Sequence, residues 1–221
     1  MSGGWGAPVT LRGERLLLTP LRLSDAADFL AGLGSPEDAA AVTEHLSFRC
    51  PDLVAARRVV AEALTTPDRV PFAQRLAATG ELVGSSSYYE IEESRRSLAI
   101  GHTWLARRLW RTGTNTESKL LMMGHAFETL GAERLVWHTD IRNTRSQDAI
   151  ARLGATREGE LRHHRRRPDG SPRDTVQFAM LAAEWPSARQ RLLVALERRA
   201  TPRPERPPSG WADDEDGSSD E

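Results

Sequence analysis

The stretch Ile100–Leu130, IGHTWLARRLWRTGTNTESKLLMMGHAFETL, decides the fold because an extended apolar run passes through one glycine turn directly into a helix. The run IGHTWL is rich in β-branched and aromatic residues, which is typical of a strand. After Gly113, apolar residues such as Leu120, Met123 and Phe127 recur at helical spacing. The sequence therefore predicts a strand, a tight loop and a helix in succession.

The start of this helix is predicted to bind an anion. Thr114 followed three residues later by Glu117 fits a capping box, and Gly131 fits a C-terminal stop. First-turn amides of a helix have no internal partner and lie at the positive end of its dipole, so they suit a phosphate or pyrophosphate group. Nearby basic side chains are expected to add positive charge, namely Arg107, Arg108, Arg111 and Lys119. Solvated side chains on a surface loop are the alternative interpretation of the arginines.

Length and composition restrict the class of protein. The chain has 221 residues, enough for one domain with a full core. Its 30 Lys and Arg residues nearly balance 31 Asp and Glu residues, which argues against a dedicated nucleic-acid-binding protein. The single cysteine, Cys50, excludes an intramolecular disulfide and a cysteine zinc cluster, so a reducing, cytoplasmic setting is expected. No segment approaches the roughly 20 apolar residues of a membrane span, which predicts a soluble protein without a membrane partner.

The remaining chain is predicted to supply the rest of a mixed α/β sheet. Leu16 to Pro20 forms a first strand, and the helical positions 24–65 follow, with Leu53, Val60 and Leu64 expected to face inward. Strands are then predicted at positions 71–77, 81–92 and 97–105 as an antiparallel meander. Later elements are a strand at 134–140, a helix ending at 153, a hairpin of 156–166 with 175–183, and a helix from 185.

The ends of the chain are predicted to lie outside the domain. From Thr201 the composition changes to PRPERPPSG and then WADDEDGSSDE, which has too few apolar residues to order itself. The expected division is an N-terminal extension at positions 1–10, one domain at 11–200, and a disordered acidic tail at 201–221.

The loop Trp110-Arg-Thr-Gly113-Thr-Asn115 resembles the acyl-CoA pyrophosphate loop of the GNAT superfamily of N-acetyltransferases. In that family a glutamine or arginine leads, a glycine sits three residues on, and a second small residue closes the loop. Trp110 and Asn115 depart from this pattern, but an aromatic lead residue resembles the RimJ/RimL-type branch. The resemblance runs from position 11 to about 185. It implies the GNAT fold, a mostly antiparallel central sheet with helices on both faces. The sheet splays between its fourth and fifth strands, those of Trp104 and Trp137, and pantetheine lies in the gap.

The resemblance implies an acetyl-CoA-dependent N-acetyltransferase that uses no metal. The acceptor would be a primary amine, either a protein N-terminus or a small molecule, and transfer would be direct, in a ternary complex. A homodimer is compatible with this expectation. Backbone amides near Thr103 and Trp104 are implied as oxyanion donors. The residues implied to bind acetyl-CoA are Trp104, Leu105, Arg107, Arg111, Thr112, Gly113, Thr114, Asn115, Thr116, Asn143 and Ser146.

Acetyl transfer to an amine also needs a base for the amine and a proton for the departing thiolate. The tyrosine that most of the superfamily uses as the acid is absent. Asn143-x-x-Ser146 resembles the Asn-x-x-Ser of RimL-like enzymes, which implies that Asn143 contacts pantetheine and that Ser146 stands near the sulfur; capping a helix is the alternative for Asn143. The glutamate that many RimJ/RimL-like sequences carry before Ile-Gly is replaced here by Ala99. The candidates left nearby are Glu90, Glu92 and His102, of which Glu90 and His102 rank first. A structural role is the alternative for His102, and the sequence leaves the base open.

Two further segments are predicted to border the acceptor. The first is the loop at positions 43–48, since the resemblance implies that this helical insert lies over the acceptor site; an ordinary surface loop is the alternative. The second is the basic run at positions 162–167, where strand alternation would send His163 and Arg165 to one face and His164 to the other. One face could meet an acidic substrate group, and an edge strand protected by charge is the alternative. A succinyl-CoA-dependent enzyme and a non-catalytic acyl-CoA-binding module are the alternative functions.

Overall fold

The structure, a computed structural model, describes residues 4–200 and is built on one eight-stranded sheet. The predicted acidic tail lies outside the described residues. Along the sheet the strand order is β1-β2-β3-β4-β5-β6-β8-β7. The strands are β1 (Leu11–Arg12), β2 (Leu16–Pro20), β3 (Val70–Leu76), β4 (Leu82–Glu92), β5 (Ser97–Leu105), β6 (Arg134–Asp140), β7 (Thr156–Arg166) and β8 (Pro172–Leu181).

Six α-helices of the described chain lie on the two faces of this sheet. They are α1 (Ala26–Gly32), α2 (Pro36–Thr43), α3 (Leu53–Thr65), α4 (Thr114–Gly124), α5 (Thr144–Leu153) and α6 (Trp185–Ala200). A π-helical turn, His125–Thr129, continues α4. α1, α2 and α3 contact β3, β4 and β5, whereas α4, α5 and α6 form the second layer, here called the α4 face. The opposite side is called the α1 face.

The sheet splays open between β5 and β6, as the family resemblance implies. All other neighbouring strands pair antiparallel, whereas β5 and β6 run parallel and pair only from Ser97–Ala99 to Arg134–Val136. Beyond these three pairs the strands separate, with Trp104 on one side of the gap and Trp137 on the other. The predicted fold class is therefore confirmed, with the short β1 as one additional strand.

Side-chain alternation divides the residues of the central strands between the two faces. The Tyr88 hydroxyl donates to the carbonyl of Met122 in α4 at 2.6 Å, so Tyr88 lies on the α4 face and Tyr89 on the α1 face. Trp104 also lies on the α1 face, where its ring meets Phe29 of α1 edge-on at 4.8 Å. α1 to α3 cover only the β3–β5 part of this face in the described chain, so the splayed end is left uncovered there.

The inward face of α3 differs from the prediction. Val60 is fully buried, but Leu53 and Leu64 are 37% and 41% exposed. The buried stripe consists of Ala56, Val60 and Ala63, because a helix with small side chains in its stripe can lie close to α1 and β3. The leucines lie at the margin of this contact.

Candidate active site

The loop between β5 and α4 ends at Gly113, which caps the helix with a positive φ of 98°. Thr114 is the first helical residue, so the predicted helix start is confirmed. The predicted capping box is wrong, because the Glu117 carboxylate accepts from the backbone N–H groups of Arg15 at 2.9 Å and Leu16 at 3.3 Å. Glu117 thus ties α4 to β2, where two backbone donors would otherwise lack a partner.

The amides at the start of α4 are available to a ligand. Within residues 4–200, the N–H groups of Gly113, Asn115 and Thr116 make no hydrogen bond, and the N–H of Thr114 lies 3.4 Å from Thr112 Oγ1. The first intrahelical bond runs from the N–H of Glu117 to the carbonyl of Gly113. Free donors at the positive end of a helix dipole fit the diphosphate of a nucleotide-type ligand.

Two of the three arginines predicted to add positive charge to this loop are instead paired with carboxylates of the protein. Arg107 forms ion pairs with Glu37 at 3.2 Å and Asp38 at 3.1 Å, and Arg108 pairs with Glu81. These contacts hold both guanidinium groups in the protein surface. Of the three predicted arginines, Arg111 alone has a side chain without an ion pair to a described residue.

Two arginines that the sequence analysis did not single out approach the loop instead. Arg199 of α6 donates to the carbonyl of Arg111, and the guanidinium of Arg145 in α5 stacks 4.0 Å from the centre of the Trp110 ring. The Trp110 indole donates to the carbonyl of Leu105 at 2.9 Å. The aromatic lead residue thereby joins the end of β5 to the start of α5, across the mouth of the gap.

On the β5 side of the gap, the groups that face the opening belong to the backbone, because the Trp104 side chain points to the other side of the sheet. The Trp104 side chain is 3% exposed and is buried against α1, away from the gap. The N–H of Ala106 bonds to Val83 in β4, so alternation directs the backbone groups of Trp104 to β4 and those of Leu105 away from β4. Leu105 therefore presents its peptide groups on the open side of β5.

On the opposite wall, Asn143 caps α5. Its Oδ1 accepts from the N–H of Ser146 at 2.9 Å, so the capping role is observed, while its Nδ2 keeps two donors. Ser146 lies half-buried in the first turn of α5, and its hydroxyl makes no hydrogen bond to a described residue. The hydroxyl is therefore free to donate to a ligand in the gap.

A chain of hydrogen bonds crosses the gap on the α1 face. The Tyr89 hydroxyl lies 3.0 Å from His138 Nδ1, and His138 Nε2 lies 3.1 Å from Gln177 Oε1. Glu90 approaches the same ring, with Oε2 3.5 Å from Nδ1. If Gln177 accepts from Nε2, then Nδ1 is the acceptor for Tyr89, which fixes the tautomer of the imidazole. Sequence analysis missed His138 because RLVWHTD reads as an ordinary strand.

The Tyr89 ring reaches His138 by lying across Gly101 of β5. A Cβ atom at position 101 would stand 2.7 Å from Tyr89 Cε1, which is closer than real side chains allow. The glycine is therefore required by the close approach of an aromatic ring.

Two residues with positive φ bring the predicted bases to this cluster. Glu90 has a φ of 48° and His102 a φ of 49°, and the register of β4 and β5 shifts near both. These β-bulges turn His102 toward Tyr89, with the ring centres 5.0 Å apart, and Glu90 toward His138. Burial and then the charges of Arg69, Arg165 and Arg173 lower the pKa of His102 to about 3. His102 is therefore neutral at physiological pH.

The basic strand β7 also borders this cluster, but not by simple alternation. Arg165 donates to Glu90 at 2.8 Å, and the ring of His164 lies 5.5 Å from that of His138. The prediction that Arg165 and His164 point to opposite faces is wrong. His163 has a φ of 52°, and the pairing of β7 with β8 shifts between Leu161 and Arg165, which resets the alternation.

Lys119 lies beneath the sheet rather than beside the loop, which corrects the sequence-based expectation. It is 4% exposed, and its Nζ donates to Ser86 Oγ and Thr103 Oγ1, both at 2.7 Å. No carboxylate of the described residues forms an ion pair with it. Burial lowers the pKa of Lys119 to about 7.

The variant Lys119→Met is expected to have a flatter dependence of stability on pH. The lysine pKa falls from 10.5 to about 7 on folding, so the unfolded state binds more protons between these values. The free energy of unfolding of the wild type should therefore rise with pH in this window, by about 2 kcal/mol more than that of the variant between pH 7 and pH 9. Urea unfolding of both proteins at the two pH values measures this difference. An equal rise in the free energy of unfolding of both proteins would contradict the conclusion that the Lys119 amine is buried without an ion pair to a described residue.

Two classes of site are not found in the described part of the chain. Residues 4–200 contain no group of three His, Cys, Asp or Glu side chains that could hold a metal ion. No helix within that range is long and apolar enough to cross a membrane.

Comparison with known proteins gives matches to acetyltransferases. The acetyltransferase (GNAT) domain family matches residues 15–156. The putative ribosomal N-acetyltransferase YdaF of Bacillus subtilis (strain 168) is 27% identical over 106 residues, 48% of this chain and 57% of that protein. The chain therefore matches little more than half the length of this curated relative.

Solved structures match over nearly the whole domain. A putative acetyltransferase from T. thermophilus is 38% identical with a TM-score of 0.78, and the match covers 87% of this chain and 99% of that one. Mycobacterium smegmatis RimJ, solved in complex with CoA-disulfide, is 25% identical with a TM-score of 0.68, covering 88% and 97%.

Proposed function

Because this chain belongs to the GNAT acetyltransferase family and resembles its RimJ/RimL-like branch, we propose that it transfers the acetyl group of acetyl-CoA directly to a primary amine. The observation that carries the proposal is the position of the free amides of α4 at the mouth of a splayed sheet. The names of the relatives, a ribosomal N-acetyltransferase and RimJ, favour a protein N-terminus as the acceptor, and a small-molecule amine is the alternative.

Acetyl-CoA supplies an activated thioester when bound, and the chain supplies the groups that hold it. The N–H groups of Gly113, Asn115 and Thr116 would bind the diphosphate, with Arg111 and Arg199 adding charge at the loop. The outward N–H of Leu105 would hold the thioester carbonyl, whereas the Leu105 carbonyl already accepts from the Trp110 indole. Thr112 and Thr114 shape the loop through the 2.7 Å contact between their hydroxyl groups.

His138 is the base that the geometry supports best, with Glu90 as its partner. Burial lowers the pKa of His138, although Glu90 raises it, so the imidazole is neutral near pH 7 and can serve as a base. Because Nδ1 accepts from Tyr89 and Nε2 donates to Gln177, the amine proton would pass to the Tyr89 hydroxyl while that hydroxyl gives its own proton to Nδ1. Tyr89 and Gln177 hold the ring in one orientation. Glu90 stabilises the imidazolium that forms. His102, whose pKa lies near 3, would serve as a wall of the cleft.

The Ser146→Ala variant is expected to lower kcat about tenfold, because the hydroxyl would pass a proton to the departing thiolate and take one from solvent in return. Its Kd for acetyl-CoA should change less than about twofold, since the diphosphate and pantetheine contacts lie elsewhere. Thr144→Ala, which removes an exposed hydroxyl from the same helical turn, is the matched control and should keep wild-type kcat. An unchanged kcat in Ser146→Ala would exclude the acid role.

The activity itself is tested by thiol release from acetyl-CoA over a panel of amines and N-terminal peptides. We expect turnover with at least one acceptor and a sequential kinetic pattern, as direct transfer requires. Tight binding of acetyl-CoA without turnover across a broad panel would instead favour a non-catalytic acyl-CoA-binding module.

A further inference from the structure

The cleft beside His138 contains two arginines, Arg69 and Arg173, whose guanidinium groups form no hydrogen bond to a described carboxylate. Arg173 of β8 has a side chain that is 20% exposed, and its buried Nε has no hydrogen-bond partner. The carboxylate of Asp140 lies 4.0 Å from that nitrogen, beyond hydrogen-bond distance. Arg69, immediately before β3, donates its Nε to Ser87 Oγ at 3.0 Å and forms no ion pair with a described residue.

The acidic residues of the cleft are already paired with other groups. Arg167 binds Asp140 with two hydrogen bonds, from Nε at 2.7 Å and from Nη2 at 2.9 Å. Glu90 is shared between Arg165 and His138. Arg165 and Arg167 thus take up the close contacts with Glu90 and Asp140, while Glu62 acts on Arg69 and Asp140 acts on Arg173 only from a distance. Arg69 and Arg173 are therefore the cleft's two guanidinium groups without a close carboxylate partner among the described residues.

The guanidinium groups of Arg69 and Arg173 act on one region. The charges of Arg69 and Arg173 both lower the pKa of His102, after burial as the main cause, and Arg173 also lowers that of His138. Burial lowers the pKa of Arg69 to about 10 and lowers that of Arg173. A cation removed from water is unfavourable unless an anion or a set of acceptors meets it. An anionic group on a ligand would supply that partner.

We propose that the acceptor is a primary amine whose own molecule carries a carboxylate or phosphate, and that Arg173, together with Arg69, binds this anion while the amine faces His138. The inference rests on the proposed function, since it assigns the substrate class of that site. Arg173 shares the α1 face with Gln177 by strand alternation. This location separates it from the start of α4, where the diphosphate of acetyl-CoA is proposed to bind.

The test uses the full chain and matched acceptors that differ only in the anion. The pairs are serine with serinamide, Ser-Glu-Gly-amide with Ser-Gln-Gly-amide, and glucosamine 6-phosphate with glucosamine. They distinguish an α-carboxylate, a peptide side chain and a phosphate as the source of the charge. In at least one pair we expect kcat/KM to be about tenfold or more higher for the anionic member, the range of a charge-assisted hydrogen bond.

The variant Arg173→Gln should reduce that ratio to about one, while kcat/KM for the uncharged member stays within about threefold of wild type. Arg162→Gln is the matched control, because Arg162 lies in the neighbouring strand β7, is exposed and forms no ion pair with a described residue. It should keep the wild-type ratio. Calorimetry of the same acceptors against the protein with CoA bound should give the same ratio in Kd, independently of turnover.

Equal kcat/KM and equal Kd within every pair would overturn the proposal, as would a preference that survives in Arg173→Gln. A preference for succinyl-CoA over acetyl-CoA that Arg173→Gln removes would move the anion to the donor and would also overturn it. Failure of transfer to every acceptor, with acetyl-CoA still bound, contradicts the proposed function instead. The Kd ratios then still decide whether the cleft binds acidic amines.

Discussion

The Gly113→Glu variant is expected to lose affinity for acetyl-CoA by more than about 100-fold while it remains folded. A carboxylate at the start of α4 would stand where the diphosphate is proposed to bind, and two like charges about 4 Å apart near a protein surface repel by about 4 kcal/mol. A Cβ atom at this position would also approach Arg199 Cδ at 3.3 Å and Leu196 Cδ2 at 3.5 Å. Isothermal titration calorimetry with acetyl-CoA measures the effect.

Gly80→Glu is the matched control for backbone strain. Gly80 has a φ of 74°, comparable to the 98° of Gly113, and a Cβ there would meet no atom within 4 Å. Both variants should therefore lose about 1–2 kcal/mol of stability, the cost of a left-handed conformation for a residue with a side chain. Only Gly113→Glu should lose acetyl-CoA binding. Wild-type affinity in a folded Gly113→Glu protein would remove the main support for the diphosphate site.

The second large effect is expected for His138→Gln, which should lower kcat by about 100- to 1000-fold, as the loss of a general base does. Glutamine retains hydrogen-bonding groups for Tyr89 and Gln177 but cannot accept a proton near neutral pH. The Kd of acetyl-CoA should be unchanged, because His138 lies on β6 and the diphosphate loop precedes α4. Steady-state kinetics and calorimetry together separate the two quantities.

The pH profile gives an independent readout of the same variant. Burial lowers the pKa of His138 from its usual 6.5, so in the wild type the acid limb of kcat/KM should lie below pH 6.5. Glu90, Tyr89, His164, Arg165 and Arg173 surround the ring, and the arginines oppose its protonation. His138→Gln should lack this limb. His163→Asn, an exposed histidine replaced by a residue that tolerates positive φ, is the control and should keep the limb and the rate.

Regular hydrophobic patterns made much of the fold predictable. The strand at 97–105 has the predicted bounds, and α4 begins at the predicted Thr114 because the Gly113 signal is local in sequence. The splay followed from a resemblance and is confirmed by the three β5–β6 pairs. The hydrogen bonds of the Glu117 carboxylate were not predictable, because its partners, the N–H groups of Arg15 and Leu16, lie about a hundred positions earlier.

The details of the cleft were less predictable than its position. Glu90, His102 and His163 adopt positive φ although none is glycine, and these bulges decide which side chains face the gap. A prediction that alternates side chains strictly between the two faces of a strand cannot detect a β-bulge. The alternation assigned to β7 was therefore wrong. The role of His138 as a base could be proposed only from the fold, which brings Gln177 of β8 beside it and brings Tyr89 and Glu90 of β4 to it across β5; all three residues are far from His138 in sequence.

The passage of the Tyr89 ring over Gly101 places a constraint on how this protein can diverge. The tilt of the His138 imidazole depends on position 101 having only a hydrogen atom where other residues have a side chain. Even one added methyl group there would press on the phenol and loosen the ring that receives the proton. Acceptor preference can therefore drift through the arginines of β7 and β8, while position 101 has almost no freedom to vary.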